Sequence, residues 1–358
     1  MVTVRSTTGP IPEQLPTGAA AAERPPTGAG AADRSPTGAA AAERPISEQP
    51  PAGRPSLAPP GAAPGGGTVP FVALGDSLTE GLGDPLPGGG WRGWAVLLAA
   101  ALGERPESVR LVNLAVSGAL AADVAERQLP AARAHRPRFA SLLVGANDTL
   151  RAAFAIERVA AALDRAYGAL SGDGTVVLTA CLPDPGRMLG LPAPLARPLG
   201  RRMRAVNTVV HALVARHGGV HLHLAEHPWV TERACWSVDR LHPSERGHRL
   251  LARGFHAQLA AAGLPVGPPP ALTLDGRPPT RTGSALWMAT KGTRWVVDRC
   301  TDLLPGLLAL AAREYRHSLA GTGRLLDAAA DRTTRAALAA LPGPKAAGCA
   351  PGAATMTG

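Results

Sequence analysis

Lysine is almost absent from this chain: only Lys291 and Lys345 occur among its 37 basic residues. Arginine therefore carries the formal net charge of +10, against a background rich in Ala, Gly and Pro. That bias reflects a GC-rich coding composition more than selection for a polyanion. Aromatic residues make up only 3%, and no basic stripe interleaved with them appears, which argues against nucleic-acid binding. Cysteine is scarce too. Cys181, Cys235, Cys300 and Cys349 are widely spaced with no C-x-x-C pair, so reduced thiols are expected rather than a disulfide framework. Met1-Val2-Thr3-Val4-Arg5 offers no apolar signal core, and the longest aliphatic runs, such as 95–102, are far too short to span a bilayer. A cytoplasmic location is the resulting expectation.

Apolar side chains are plentiful at 45% of 358 residues, enough for a sizeable core. They are unevenly spread. Residues 1–67 repeat Pro-Thr-Gly-Ala from Pro16, Pro26 and Pro36 and hold few large apolar side chains. Such a stretch cannot bury enough surface to offset its ordering entropy and is expected to be a disordered arm. From 68 to 265, short apolar runs alternate with longer helical patterns. Strands are expected at 69–74, 110–116, 139–144, 175–182 and 220–224, and helices at 91–102, 121–133, 152–170, 201–216 and 244–262. That alternation predicts an α/β fold with a central parallel sheet. Residues 266–358 read as a Pro-rich linker, a helical extension and a flexible tail. Within the extension, 286–317 carries apolar residues at helical spacing, and Pro305 is expected to break or kink it.

The chemistry gathers where strands end. The first strand runs into Gly75-Asp76-Ser77-Leu78, the second into Asn113-Leu114-Ala115-Val116-Ser117-Gly118, and the third into Gly145-Ala146-Asn147-Asp148. Parallel sheets bind ligands at this carboxyl edge. Ser77 is a weak nucleophile until a base takes its proton, and Asp239-Arg240-Leu241-His242 offers that base with an acid to orient it. Acyl transfer also needs donors aimed at the developing oxyanion: the backbone N–H of Ser77, that of Gly118, and the Asn147 amide. Asp76 is expected to anchor its loop, and Asp148 to cap the next helix.

These four blocks, in this order, resemble the SGNH (GDSL) hydrolase superfamily, which is named for its Ser, Gly, Asn and His. Here those residues are Ser77, Gly118, Asn147 and His242, with Asp239 three positions before the histidine. The resemblance covers about 200 of the 358 residues. It implies a flavodoxin-like three-layer α/β/α domain, hydrolysis of small-molecule or lipid-like esters or thioesters, and neither cofactor nor metal. The G-x-S-x-G elbow of the α/β-hydrolases is absent.

Each block alone has a plainer explanation as a cap or turn; together, in order, they favour catalysis. Other residues read differently. His221 and His223 share a strand face near His227, but no carboxylate or cysteine is spaced beside them, so a metal site is not expected. His211, His217, His248 and His256 are expected to be surface or packing residues. Trp91 and Trp94 are equally suited to lining an acyl pocket and to seating the first helix. Residues 284–318 suit docking on the catalytic domain better than a peripheral membrane contact. The leading function is therefore ester hydrolysis. The alternatives are O-deacetylation of, or acyl transfer to, carbohydrate, and a non-catalytic module binding a partner.

Overall fold

The computed structural model of the chain describes residues 68–103, 105–264, 266–275 and 293–343. The expectations for 1–67 and 284–292 fall outside these described residues.

Five short aliphatic runs form one parallel sheet: β1 (Val69–Gly75), β2 (Val109–Asn113), β3 (Phe139–Leu143), β4 (Val176–Ala180) and β5 (Val220–Leu222). Their order is β2-β1-β3-β4-β5, the flavodoxin-like order. Phe71 lies opposite both Leu111 and Phe139, and Thr179 opposite His221. Phe71 to Leu74 are wholly buried, as expected of a strand covered on both faces.

The helices are α1 (Ser77–Glu80), α2 (Gly93–Ala101), α3 (Ala121–Asp123), α4 (Leu129–Ala134), α5 (Ala146–Thr149), α6 (Ile156–Gly172), α7 (Pro185–Met188), α8 (Ala193–His217), α9 (Glu245–Ala261), α10 (Thr293–Leu319) and α11 (Gly323–Ala339). A π-turn, Val124–Gln128, joins α3 to α4. Adjacent residues of β5 face opposite ways and so mark the two helical layers. Leu222 lies under Gly254 of α9, whereas the His221 ring meets His211 of α8. On the first side α2 packs on α9, with Trp94 stacked on Phe255 at 4.9 Å. On the other, α6 packs against α8, and α10 and α11 lie outside them.

Two expectations about helices need correcting. Helix α8 begins at Ala193, not 201, and passes through Pro198; α10 passes through Pro305 without breaking. Each proline removes one hydrogen bond from a long helix, and packing of α8 and α10 against each other offsets that loss. The C-terminal helices are docked by charge. Arg201 of α8 pairs with Glu314 at 2.6 Å and Asp327 at 2.7 Å, and Glu314 is only 2% exposed. On the outer face Leu308, Tyr315 and Leu319 are exposed. The stretch read as a linker is also held: Arg249 donates to the Ala271 carbonyl, and Asp275 pairs with Arg249 at 2.8 Å. Among the described residues, no helix is long and apolar enough to cross a membrane.

Candidate active site

Strand β1 ends at Gly75, whose φ of 152° would place a Cβ 2.3 Å from the Leu143 carbonyl oxygen. Only glycine lets β1 and β3 stay paired there while the chain turns. Asp76 caps α1 by accepting from the Leu78 N–H at 3.1 Å, which leaves Ser77, half-buried, as the first helical residue.

His242 reaches this serine from 165 positions away. Its Nε2 lies 2.7 Å from Ser77 Oγ and its Nδ1 2.6 Å from Asp239 Oδ2. The other carboxylate oxygen, Oδ1, accepts from Ser237 Oγ at 2.7 Å, Leu241 N at 2.9 Å and His242 N at 3.0 Å. Burial alone would raise the Asp239 pKa. The hydrogen bond and charge of His242, then its backbone N–H and the Ser237 hydroxyl, outweigh that and bring it down to about 2. The loop between them is strained, with Arg240 at φ 59°.

Asn147, at the start of α5, joins two loops. Its Nδ2 donates to Asp76 Oδ2 and to the Ala119 carbonyl, both at 3.2 Å. It therefore ties the residue before Ser77 to the residue after Gly118. Gly118 has φ 84°, and its loop is pinned at almost every step. Asn113 bonds Thr79 O and Ala115 N, and Glu80 accepts from the Ser117 N–H and hydroxyl.

Asp148 accepts from Ala121 N at 3.0 Å. The expected cap is thus made, but for α3, across the sheet edge, rather than for the helix that follows it. Burial lifts the Asp148 pKa to about 6. A carboxyl raised in this way stabilises the fold below its unfolded pKa and loses that contribution as pH rises through about 6. Stability measured by urea titration is therefore expected to fall by up to about 3 kcal/mol between pH 4 and 7. In Asp148→Asn that slope should flatten. An unchanged slope would show that Asp148 does not ionise in this range.

Several positioning residues were not legible in the sequence. Gln128, in the π-turn, uses its amide like a strand neighbour, donating to Gly75 O and accepting from Gly75 N, both at 2.9 Å. His248, wholly buried, accepts from Trp94 N at 3.2 Å and bonds the Leu82 carbonyl at 2.9 Å. Burial, the largest influence, lowers its pKa to about 4, so it packs as a neutral imidazole. Buried Asp84 pairs with Arg92 at 2.9 Å, and Arg92 reaches Glu245 at 2.9 Å; these bonds hold the loop after Ser77 against α9.

Gly83 of that loop has φ 101°, and a Cβ there would lie 1.9 Å from the Pro243 carbonyl oxygen, next to His242. Gly83→Ala must therefore push the two halves of the site apart. A displacement near 1 Å is expected to lower kcat about 10²-fold, measured by ester turnover beside a thermal melt. Wild-type turnover in a folded variant would show that this contact does not set the geometry.

The two tryptophans separate. Trp94 is wholly buried on Phe255 and seats α2 on α9, so it does not line a pocket; Trp91 is 38% exposed. A cleft of about 710 Å³ beside the Asp239 loop is lined by Asp184, Arg187, Met188, Asn207, Trp236 and Arg240 among others, and by no residue of the Ser-His-Asp set. Among the described residues, Cys181 and Cys235 are free thiols. The expectation that no cysteine stands beside His221 and His223 is overturned. Cys181 and His211 join them, all four ligand atoms lying within 4.8 Å of one another. Sequence spacing hid this cluster because Cys181, just after β4, stands forty residues before His221.

Residues 73–250 match the GDSL-like Lipase/Acylhydrolase family. No curated protein matches the chain. Similar solved structures include LAE5, an alpha/beta hydrolase enzyme from the metagenome of Lake Arreo, Spain. It is 22% identical over 55% of this chain and 96% of that one, with a TM-score of 0.44. Another is a catalytic mutant of Axe2, an acetylxylan esterase from Geobacillus stearothermophilus, 21% identical over 54% and 95%, also with a TM-score of 0.44.

Proposed function

We propose that this chain, which belongs through residues 73–250 to the GDSL-like lipase/acylhydrolase family, is a serine-dependent carboxylic ester hydrolase acting through Ser77, His242 and Asp239. The observation that carries this reading is the unbroken hydrogen-bond chain Ser77 Oγ, His242, Asp239, at 2.7 and 2.6 Å. Neither core packing nor partner binding calls for that order of groups.

Neutral His242 accepts the Ser77 hydroxyl proton at Nε2 as Oγ attacks the acyl carbonyl. The oxyanion so formed takes hydrogen bonds from the backbone N–H groups of Ser77 and Gly118 and from Asn147, whose amide exchanges one of its present partners for the substrate oxygen. Imidazolium then protonates the departing alcohol, leaving an acyl-serine. Water, deprotonated by the same nitrogen, releases the acid and restores Ser77. Asp239 stays ionised throughout and holds the Nδ1–H tautomer.

A series of p-nitrophenyl esters from acetate to palmitate tests the reading. Turnover at one or more chain lengths that depends on Ser77 is expected. A profile restricted to acetate would point to the deacetylase alternative, and no turnover at any length would overturn the proposal.

A further inference from the structure

The cluster on the opposite edge of the sheet has no part in that chemistry. Cys181 follows β4, His221 lies in β5, His223 just beyond it, and His211 on α8. Three ring centroids sit 4.7 to 5.3 Å apart, and the cysteine sulfur completes a group whose ligand atoms are mutually within 4.8 Å. Strand β5 lies three strand spacings, roughly 14 Å, from β1 and Ser77.

We propose that Cys181, His211, His221 and His223 bind one divalent transition-metal ion, zinc by the character of the donors, and so pin the edge strand β5 to β4 and to α8. Three features carry this. The first is the donor set. Three imidazoles and one thiolate are the borderline-soft ligands that suit tetrahedral zinc. Four protein ligands leave no open position, which marks a structural rather than a catalytic site.

The second is an orphaned atom. His221 Nε2 is buried and has no hydrogen-bond partner, an arrangement native proteins seldom tolerate without a role. Its other nitrogen, Nδ1, lies 3.0 Å from Thr179 Oγ1. That contact lets Nδ1–H donate to the Thr179 hydroxyl. In that tautomer buried Nε2 keeps a lone pair with no partner, open to a metal as in an imidazole held by an outer hydrogen bond. Packing of neutral rings accounts for the centroid distances but not for that nitrogen or for the sulfur.

The third is access. Cys181 is buried and His221 half-buried, while His211 and His223 are exposed, so an ion can enter and the two outer rings can turn inward. Zinc–nitrogen and zinc–sulfur bond lengths place tetrahedral ligands about 3.4–3.6 Å apart. The rings must therefore close in by about 1 Å. Binding would convert the Cys181 thiol to a thiolate and release one proton.

The full chain, stripped with a chelator, is titrated with Co²⁺ and then with Zn²⁺. One equivalent of cobalt is expected to give the intense visible bands of a tetrahedral site and a near-ultraviolet thiolate-to-cobalt band, both displaced by zinc. Zinc at about 100-fold above its Kd should raise Tm by roughly 5–10 °C. Cys181→Ser should abolish the thiolate band. His211→Gln and His223→Gln, both at exposed positions and so expected to fold, should each weaken binding at least about tenfold while ester turnover stays at the wild-type rate. Thr179→Val should weaken it about 10–100-fold. The proposal is overturned if the wild-type chain gives no tetrahedral cobalt spectrum. It is equally overturned if spectrum and Tm shift persist unchanged in a Cys181→Ser/His223→Gln variant, since the ion would then be held elsewhere.

Discussion

Ser77→Ala is expected to lower kcat on the preferred p-nitrophenyl ester by at least about 10⁴-fold, leaving only what the oxyanion donors and binding supply. The loss should fall on kcat rather than KM, because the hydroxyl forms its decisive bond in the transition state. The fold should survive. Ser77 is half-buried at the head of α1, and Asp76, not Ser77, makes the cap of that helix. Removing Oγ takes from buried His242 its hydrogen bond to Ser77, a loss of about 1–3 kcal/mol, so the melting temperature should fall by several degrees while the chain still folds. A purified wild-type chain and a Ser77→Ala chain that turn over ester equally would mean that hydrolysis, if seen, occurs elsewhere.

Asp239→Asn is expected to lower kcat by about 10⁴, and the local hydrogen bonds say why so small a change does so much. The Oδ1 position accepts from three donors: Ser237 Oγ, Leu241 N and His242 N. An asparagine must keep its carbonyl oxygen there, which turns its NH₂ toward His242 Nδ1. That nitrogen must then accept rather than donate, so the proton moves to Nε2, and Nε2 can no longer take the one from Ser77. The variant should bind substrate normally and fail in chemistry. A second consequence concerns acid stability. The Asp239 pKa is depressed to about 2, so its contribution is present above its unfolded pKa and is lost as pH falls toward 2. In Asp239→Asn that part of the acid transition should vanish. Near-wild-type kcat in the variant would exclude the tautomer role.

The loops of the candidate site were legible because each is a local signal. A buried run ending in GDSL, NLAVSG or GAND places its residues at the carboxyl edge whatever the rest of the chain does, and DRLH places an acid three positions before its base. The alternation of elements likewise announced the parallel sheet. Its margins were less clear. Helix α8 starts eight residues before the expected position and runs through Pro198, and α10 continues through Pro305, where a break or kink was expected. Local propensity lost to packing in both cases.

What stayed hidden was everything that depends on which distant segments touch. Nothing near Gln128 indicates that its amide would serve Gly75, or near His248 that it would hold Leu82 and Trp94. The histidines of β5 were dismissed for want of a neighbour in sequence, whereas the β4–α8–β5 crossover supplies two in space. Parallel pairing sets Thr179 beside His221, Cys181 and His223 follow directly after the paired strands, and helix α8 brings His211 to the same cluster.

By itself the sequence determined the fold class and the loops that carry the proposed nucleophile, base and oxyanion donors, because those follow from short-range periodicity and motif spacing. Tertiary structure alone decided how the loops are braced, that the C-terminal helices dock through Glu314, and that a cysteine stands among three histidines. Those are contacts between residues tens to hundreds of positions apart. Such contacts are selected by the burial of whole helical faces against the sheet, a property that no stretch of chain carries alone.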